Sequence, residues 1–506
     1  MVKQPVCVFI FRRDFRLQDN TTLLEAAKAA AILPIFIFYE QQISPENNPY
    51  FSNNQVQFMI QCITDLQSQI AKLGGNLYIF ETKTTDIDIL DKLTTLVDIK
   101  AIAFNKDITP FALQRDSKIN EWCRDKGIEA ISREDYTMLP IDRVKNKSGK
   151  PYEVYTPFYR TAVKLQVQSP LTVPPSIRFE NKIKLADSVN MNKYFLDNPN
   201  VEIVGGRREA MAVLQRIRSG SFRLYEKQRD FPSHDSTTRL SAYIKFGCVS
   251  IREVYDISKI AMGKNSLLVQ QLLWREYYYN IAYHFPEVLR GQIGKLPNTF
   301  IRGKYEKAQS KWNESEEDFL MWARGETGFP IVDAAMRCLN TTGWMHNRLR
   351  MVVAMFLVRH LNIDWRKGEQ YFATQLVDYD TINNNQGWCW CLTYRRTLNP
   401  FKQTGKYDPQ CVFIKKWVPE LRDVPVVDII VWWEKSSEYL DRVNYPKMMI
   451  ELPGYRVKYK TYIAGYVRPK LLKDPSVKRK QSKYSLGQKN TGKYDSKNNV
   501  KGTIKS

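Results

Sequence analysis

The sequence predicts two parts of different class: an α/β N-terminal domain built on a doubly wound parallel sheet, then an all-helical C-terminal domain. Three observations lead there. At 506 residues the chain exceeds what one compact core holds. Over the first 135 residues, short apolar runs alternate with segments whose apolar residues fall three and four apart. Beyond residue 205 only the helical spacing recurs.

Taken in order, VCVFIF, ILPIFIF, NLYIF, KAIAF and IEAIS read as buried parallel strands, because a strand covered on both faces has no polar side to show. Between them, TTLLEAAKAA, VQFMIQCITDLQSQIAKL and ALQRDSKINEWCRDK read as crossover helices. The first strand runs into FRRDFRLQDN, so the GxGxxG dinucleotide fingerprint is absent. Residues 136–204 are polar and Pro-containing and predict a connector without regular structure, laid over the surface. Residues 205–470 predict a helical bundle through VGGRREAMAVLQRI, SLLVQQLLWREYYYNIAYHF, IVDAAMRCLNTTG and HNRLRMVVAMFLVRHL. Residues 471–506 have few large apolar side chains and predict a basic disordered tail.

Net charge is +23, from 76 Lys and Arg against 53 Asp and Glu. The stretch from Lys470 onward holds 11 of the bases and two of the acids, so most of the excess lies on the rest of the chain. A basic body with 12% aromatic residues predicts a nucleic-acid partner, held by its phosphates through charge and by its bases through rings. No apolar run approaches the roughly 20 residues that span a bilayer, and the N-terminus lacks the pattern of a signal peptide. A soluble monomer is expected, cytoplasmic or nuclear rather than secreted, with no membrane partner. The eight cysteines are scattered and the four histidines fall in no ligand pattern, which predicts reduced thiols and no metal site.

The stretch DYDTINNNQGWCWCLTYRRT, residues 378–397, crowds carboxylates, amides and two Trp together. Asn and Gly favour turns, so INNNQG predicts irregular chain. The combination suits a site that grips a polar, flat, aromatic molecule, and equally a polar loop running into an amphipathic helix. STTRLS offers hydroxyls and backbone N–H groups at a helix start, which suits a phosphate or a plain helix cap.

Together with YEKQRDFPSHDSTTRLSAYIKFG, LLWREYYY, TGFPIVDAAMRCLNTTGWMHNRLRM and DWRKGEQYF, these segments resemble the photolyase/cryptochrome flavoprotein family. The resemblance covers about the first 450 residues in family order. WMHNRLRM and NNxxGWxW are most similar to class I cyclobutane pyrimidine dimer photolyases. The resemblance implies a bound FAD, with Thr237, Thr238, Arg239, Leu240, Ser241 and Tyr225 around its pyrophosphate. It places Asp378 and Asp380 on the ribityl, ribose or isoalloxazine edge, Arg350 as the partner of Asp378, and Asn384 facing flavin N5.

Asn at that last position leans toward a photolyase, since plant cryptochromes usually carry Asp and animal ones Cys. The implied chemistry is light-driven electron transfer from reduced FAD to a flipped dimer in UV-damaged DNA. Trp274 and Trp390 match the rings of the dimer pocket; Gln271, Arg275, Asn347, Met351 and Gln403 match other substrate positions. Arg229 and Arg348 are expected to meet phosphates. Trp388, Trp365 and Trp312 match an electron-transfer chain from flavin to surface.

This chain departs from the pattern in several places. Gln271 stands where dimer photolyases of this class usually have Glu, as in (6-4) photolyases, yet Asn347 and Met351 replace the two His of that group. Leu268 replaces a common Trp, and the chain from Trp390 to Asn399 is short. Ala112 stands where some members have a folate-binding Glu, which leaves a second, antenna chromophore of unknown identity. The alternatives are a (6-4) photolyase and a cryptochrome-type blue-light receptor.

Overall fold

The computed structural model describes residues 5–181, 183, 189–291, 312–394, 396–439 and 441–451. The expected end of the helical bundle and the basic tail lie outside the described residues. The five apolar runs form β1 (Pro5–Phe11), β2 (Ala31–Tyr39), β3 (Tyr78–Thr82), β4 (Asp98–Asn105) and β5 (Glu129–Arg133). They pair in parallel, in the order β3-β2-β1-β4-β5. Alternate side chains explain the unbroken apolar runs. Val6, Val8 and Ile10 of β1 pack with Leu90, Ile119 and Trp122 on one face. Cys7, Phe9 and Phe11 enter the opposite core, which continues through Phe58 into Phe246, Leu268 and Leu272 of the helical region. Both faces are covered, as a parallel sheet requires.

The crossovers run through helices Thr21–Ala26, Asn53–Ala71, Asp86–Leu96 and Pro110–Lys126. The third is absent from the sequence reading. Its marks are two acids in the first turn, where they meet the positive end of the helix dipole, and the buried Ile89, Leu90 and Leu93. The connector also differs from expectation, because Tyr155–Ala162 is helical and buries Phe158 and Ala162, and Met191–Tyr194 forms a short 3-10 turn.

The sheet order reverses between β1 and β4, and this switch point is where an open α/β sheet opens a crevice. Here Arg13 after β1 pairs with Asp107 after β4 at 2.9 Å. Next to it a buried ion network ties the sheet to the helices: Arg16 pairs with Asp135 at 2.6 Å, and Arg252 pairs with Asp19 and Asp135 at 2.9 Å each. Burial disfavours the charge on Asp135, but Arg16 and Arg252 bring its pKa down to about 2. Gly247 lets the chains meet, since a Cβ there would lie 2.5 Å from the Arg13 carbonyl oxygen and the residue has φ of +61°.

Candidate active site

Helices Leu267–His284, Asn347–Met355 and Thr381–Thr393, with the segment entering the short helix Ser241–Lys245, wall a cavity of about 530 Å³. The segment INNNQG is helix, not loop. Asp380 caps it, accepting from the Asn383 main-chain N–H at 2.9 Å and side-chain amide at 3.0 Å. The Asn side chains that predict a turn are spent on caps and tertiary bonds instead.

Asp380 is gripped from several directions. Arg13 pairs with it at 3.1 Å and the Tyr279 hydroxyl donates to it at 2.8 Å. Burial opposes its charge, yet Arg13, Lys245 and Arg275 hold the carboxyl well below the usual range, so it is an anion. Lys245, half-buried, joins this network; desolvation and Arg13 push its pKa down to about 8, against Asp380 and Asp107. Asp378 receives one Arg350 nitrogen at 3.0 and 2.9 Å, and Arg350 also donates to the Met345 carbonyl at 2.9 Å. Both carboxylates are thus compensated charges, as burial demands.

Asn384 donates its side-chain N–H to the Glu369 main-chain oxygen at 3.0 Å and to the Glu369 carboxyl at 2.9 Å. With its amide nitrogen spent on Glu369, the group that Asn384 has left for the cavity it lines is its carbonyl oxygen, an acceptor. Burial pushes the Glu369 pKa up to about 7, with the Asn384 bond opposing.

Tyr225, Thr237, Thr238, Leu240 and Ser241 line the cavity, beside Arg229, whose Nη1 is buried without a partner. Arg239 lines it too, but its guanidinium pairs with Glu202 and lies 4.6 Å above the Trp344 ring. Its backbone has φ of +50°.

Gln271, Trp274, Arg275, Asn347, Arg348, Met351 and Trp390 line the same cavity, as does Leu268. Arg348 is paired with Asp230 at 2.8 Å rather than free. Gln403, on helix Pro400–Tyr407, is not among the lining residues, and its side-chain oxygen is buried without a partner.

Trp388 lines the cavity, whereas Trp365 and Trp312 do not. Trp365 opens helix Trp365–Gln375, and Gly368 one turn later leaves room for the Trp388 ring, from which a Cβ would lie 2.2 Å away. The nearest ring neighbours of Trp388 are Phe372 at 5.1 Å and Trp322 at 6.2 Å. Asn313, next to Trp312, donates to the carbonyls of Asn362 at 2.7 Å and Leu361 at 3.3 Å, in the turn before Trp365.

Sequence reasoning passed over Arg13, Lys245, Tyr279 and Glu369. Each sits in a quoted motif, but only the fold puts them beside Asp380 and Asn384. A second cavity of about 570 Å³ opens at the carboxyl ends of β1 and β2, lined by Phe38, Tyr39, Gln42 and Arg115 among others. It shares Lys245, Tyr379 and Asp380 with the first, so these residues stand between the two. Ala112 lines it, and no group of three or more His, Cys, Asp or Glu that could hold a metal occurs among the described residues.

Comparison with known proteins agrees with this architecture. Residues 7–176 match the family model described as DNA photolyase, and residues 268–464 match the FAD binding domain of DNA photolyase. A deoxyribodipyrimidine photo-lyase of Synechococcus sp. is 32% identical over 91% of this chain and 96% of its own. That of Escherichia coli is 32% identical over 88% and 96%. An archaeal photolyase from Sulfolobus tokodaii, solved with two FAD molecules, superposes with a TM-score of 0.75 at 35% identity, over 90% of this chain and 99% of that one. A class III photolyase from Agrobacterium tumefaciens gives 0.79 at 29% identity, over 93% and 98%. The chain belongs to the DNA photolyase family. It is an enzyme, and its helical region contains the FAD-binding domain of that family.

Proposed function

We propose that this chain repairs cyclobutane pyrimidine dimers in DNA under blue light. The observation that carries the reading is that one cavity is lined both by the flavin-side groups Asp378, Asp380 and Asn384 and by the rings of Trp274 and Trp390. The cavity fits FAD: the unpartnered Arg229 nitrogen suits a phosphate, and the outward oxygen of Asn384 suits an N–H of the ring system. The chemistry the bound group supplies is light-driven transfer of one electron to the dimer and its return once the cyclobutane ring has opened.

The protein's own part is to bind and orient. Thr237, Thr238 and Ser241, with Tyr225 and Arg229, would hold the pyrophosphate, and Asp378 and Asp380 would accept from polar edges. Asn384 would accept from N5–H without supplying a proton, because its amide nitrogen is spent on Glu369. Trp274 and Trp390 stack the flipped bases, worth roughly 1–3 kcal/mol per base by analogy with single-strand binding. Gln271 donates its amide to a pyrimidine carbonyl beside Asn347 and Met351, while Arg275, turned to the Tyr136 carbonyl and the Tyr279 ring, helps to hold Asp380. Trp388, which lines the cavity, with Trp365 and Trp312, would pass electrons inward to an oxidised cofactor. Residues 1–135 serve as an antenna-type domain whose cavity takes a second chromophore, residues 136–204 as its connector, and 205–470 as the FAD and DNA domain. The protein acts inside the cell as a monomer.

Supplying the reduced protein with oligonucleotides bearing a cyclobutane dimer or a (6-4) lesion, under blue light, tests the reading. Repair of the cyclobutane dimer is expected. Repair of the (6-4) lesion alone overturns the substrate, and repair of neither favours a light receptor.

A further inference from the structure

Two of the Trp rings that line the cavity, Trp274 and Trp390, each stack on a tyrosine. Tyr155 lies on Trp274 with ring centroids 3.5 Å apart and planes 10° from parallel. Tyr394 lies on Trp390 at 4.3 Å and 26°. Both Trp line the cavity and neither tyrosine does. We infer that Tyr155 and Tyr394 are positioning residues, which hold Trp274 and Trp390 so that one face of each stays turned to the lesion. This rests on the repair reading above.

The two supports are built separately. Tyr155 starts the connector helix Tyr155–Ala162, and its hydroxyl donates to the Gln270 carbonyl at 3.1 Å, next to Gln271. That bond fixes the ring over the helix that bears Trp274. Tyr394 follows the end of helix Thr381–Thr393, its N–H donating to the Trp390 carbonyl at 2.8 Å. Arg359 clamps the turn by donating to the carbonyls of Leu392 and of Tyr394, the latter at 3.2 Å. Tyr394 belongs to the short stretch between Trp390 and Asn399.

An indole pressed flat against another ring cannot turn about its side-chain axis without driving its edge into that neighbour. A ring held in this way is ready to receive a base, so less ordering cost falls on binding. Aromatic pairs of this kind are worth about 0.5–1.5 kcal/mol beyond the area they bury, a factor of roughly two to ten in affinity.

The test uses the full chain with FAD bound, a duplex containing one thymine cyclobutane dimer, and the same duplex undamaged. Tyr155→Ala and Tyr394→Ala should each weaken binding of the dimer duplex by roughly two- to tenfold. They should leave affinity for undamaged DNA, flavin absorption and repair per absorbed photon at saturating DNA unchanged; Tyr394→Phe should restore wild-type affinity, and Tyr155→Phe, which keeps the ring but loses the bond to Gln270, should restore only part of it. A wild-type preference for the dimer retained in both alanine variants sinks the tyrosine role alone. Equal loss of affinity for both duplexes sinks it too, because the effect is then general. Wild-type protein with no preference for the dimer sinks the repair reading and this role with it.

Discussion

Asn384 and Glu369 are joined by two hydrogen bonds, in which one amide nitrogen donates to both the main-chain and the carboxyl oxygen of Glu369. This pair sets the cavity-facing group at the position assigned to flavin N5. Replacing Asn384 by Ala removes the acceptor while leaving the Asp378 and Asp380 contacts. FAD should remain bound, and its reduced form should reoxidise in air faster by roughly tenfold, the value of one lost hydrogen bond of about 1.4 kcal/mol. Stopped-flow absorbance after reduction measures it; an unchanged rate removes Asn384 from the assignment.

Glu369 also makes a prediction about pH. Its pKa is raised to about 7 by burial, above that of the unfolded chain, so the folded state holds a proton that the unfolded state releases. Its contribution is favourable in acid and is lost as pH rises through about 7. Glu369→Gln keeps an oxygen for Asn384 and removes the titration. The melting temperature of the variant relative to wild type should therefore rise between pH 5 and pH 8, by an amount on the order of 2–3 kcal/mol of stability. A difference that stays flat across this range contradicts the assignment.

Arg350 compensates Asp378, whose side chain is 3% exposed. Arg350→Ala leaves that carboxylate buried without its cation and should cost about 3–5 kcal/mol of stability, with loss of FAD on gel filtration. Adding Asp378→Asn should recover part of the stability. If the double variant is no more stable than Arg350→Ala, the two charges do not compensate one another.

Trp388→Phe should retain FAD and slow photoreduction of the oxidised cofactor, because its ring is the one of the three that lines the cavity. Trp365→Phe, at a ring that does not line the cavity, should do the same. Photoreduction at the wild-type rate in both variants would make these rings packing residues.

For Gln271, which lines the cavity as an amide, a charge-neutral donor suffices at any pH. Gln271→Glu should keep or raise the dimer repair yield. DNA affinity should also fall at least roughly tenfold between 50 and 200 mM salt, since Lys and Arg release counterions from phosphate. A salt-independent affinity would remove the basic body from the interface.

What the sequence determined by itself is the sheet and the kinds of residue in the cavity. Runs such as VCVFIF are too apolar to face water on either side, and that alone demands a covered parallel strand. The aromatic and charged motifs were also legible, because their residue types limit the ligand. The tertiary structure decided what local spacing cannot. INNNQG is helix because its cap, Asp380, is held by Arg13 from 367 residues away. Asn384 points as it does because Glu369, on another helix, accepts its N–H groups. The charge on Asp380 is held against its burial by Arg13, Lys245 and Arg275, the low pKa of Lys245 comes from desolvation and Arg13, and Gln403 does not line the cavity that Gln271 and Asn347 line. Propensity and periodicity act over about one helical turn of chain, whereas desolvation and charge pairing depend on distance in space, which only the folded chain sets.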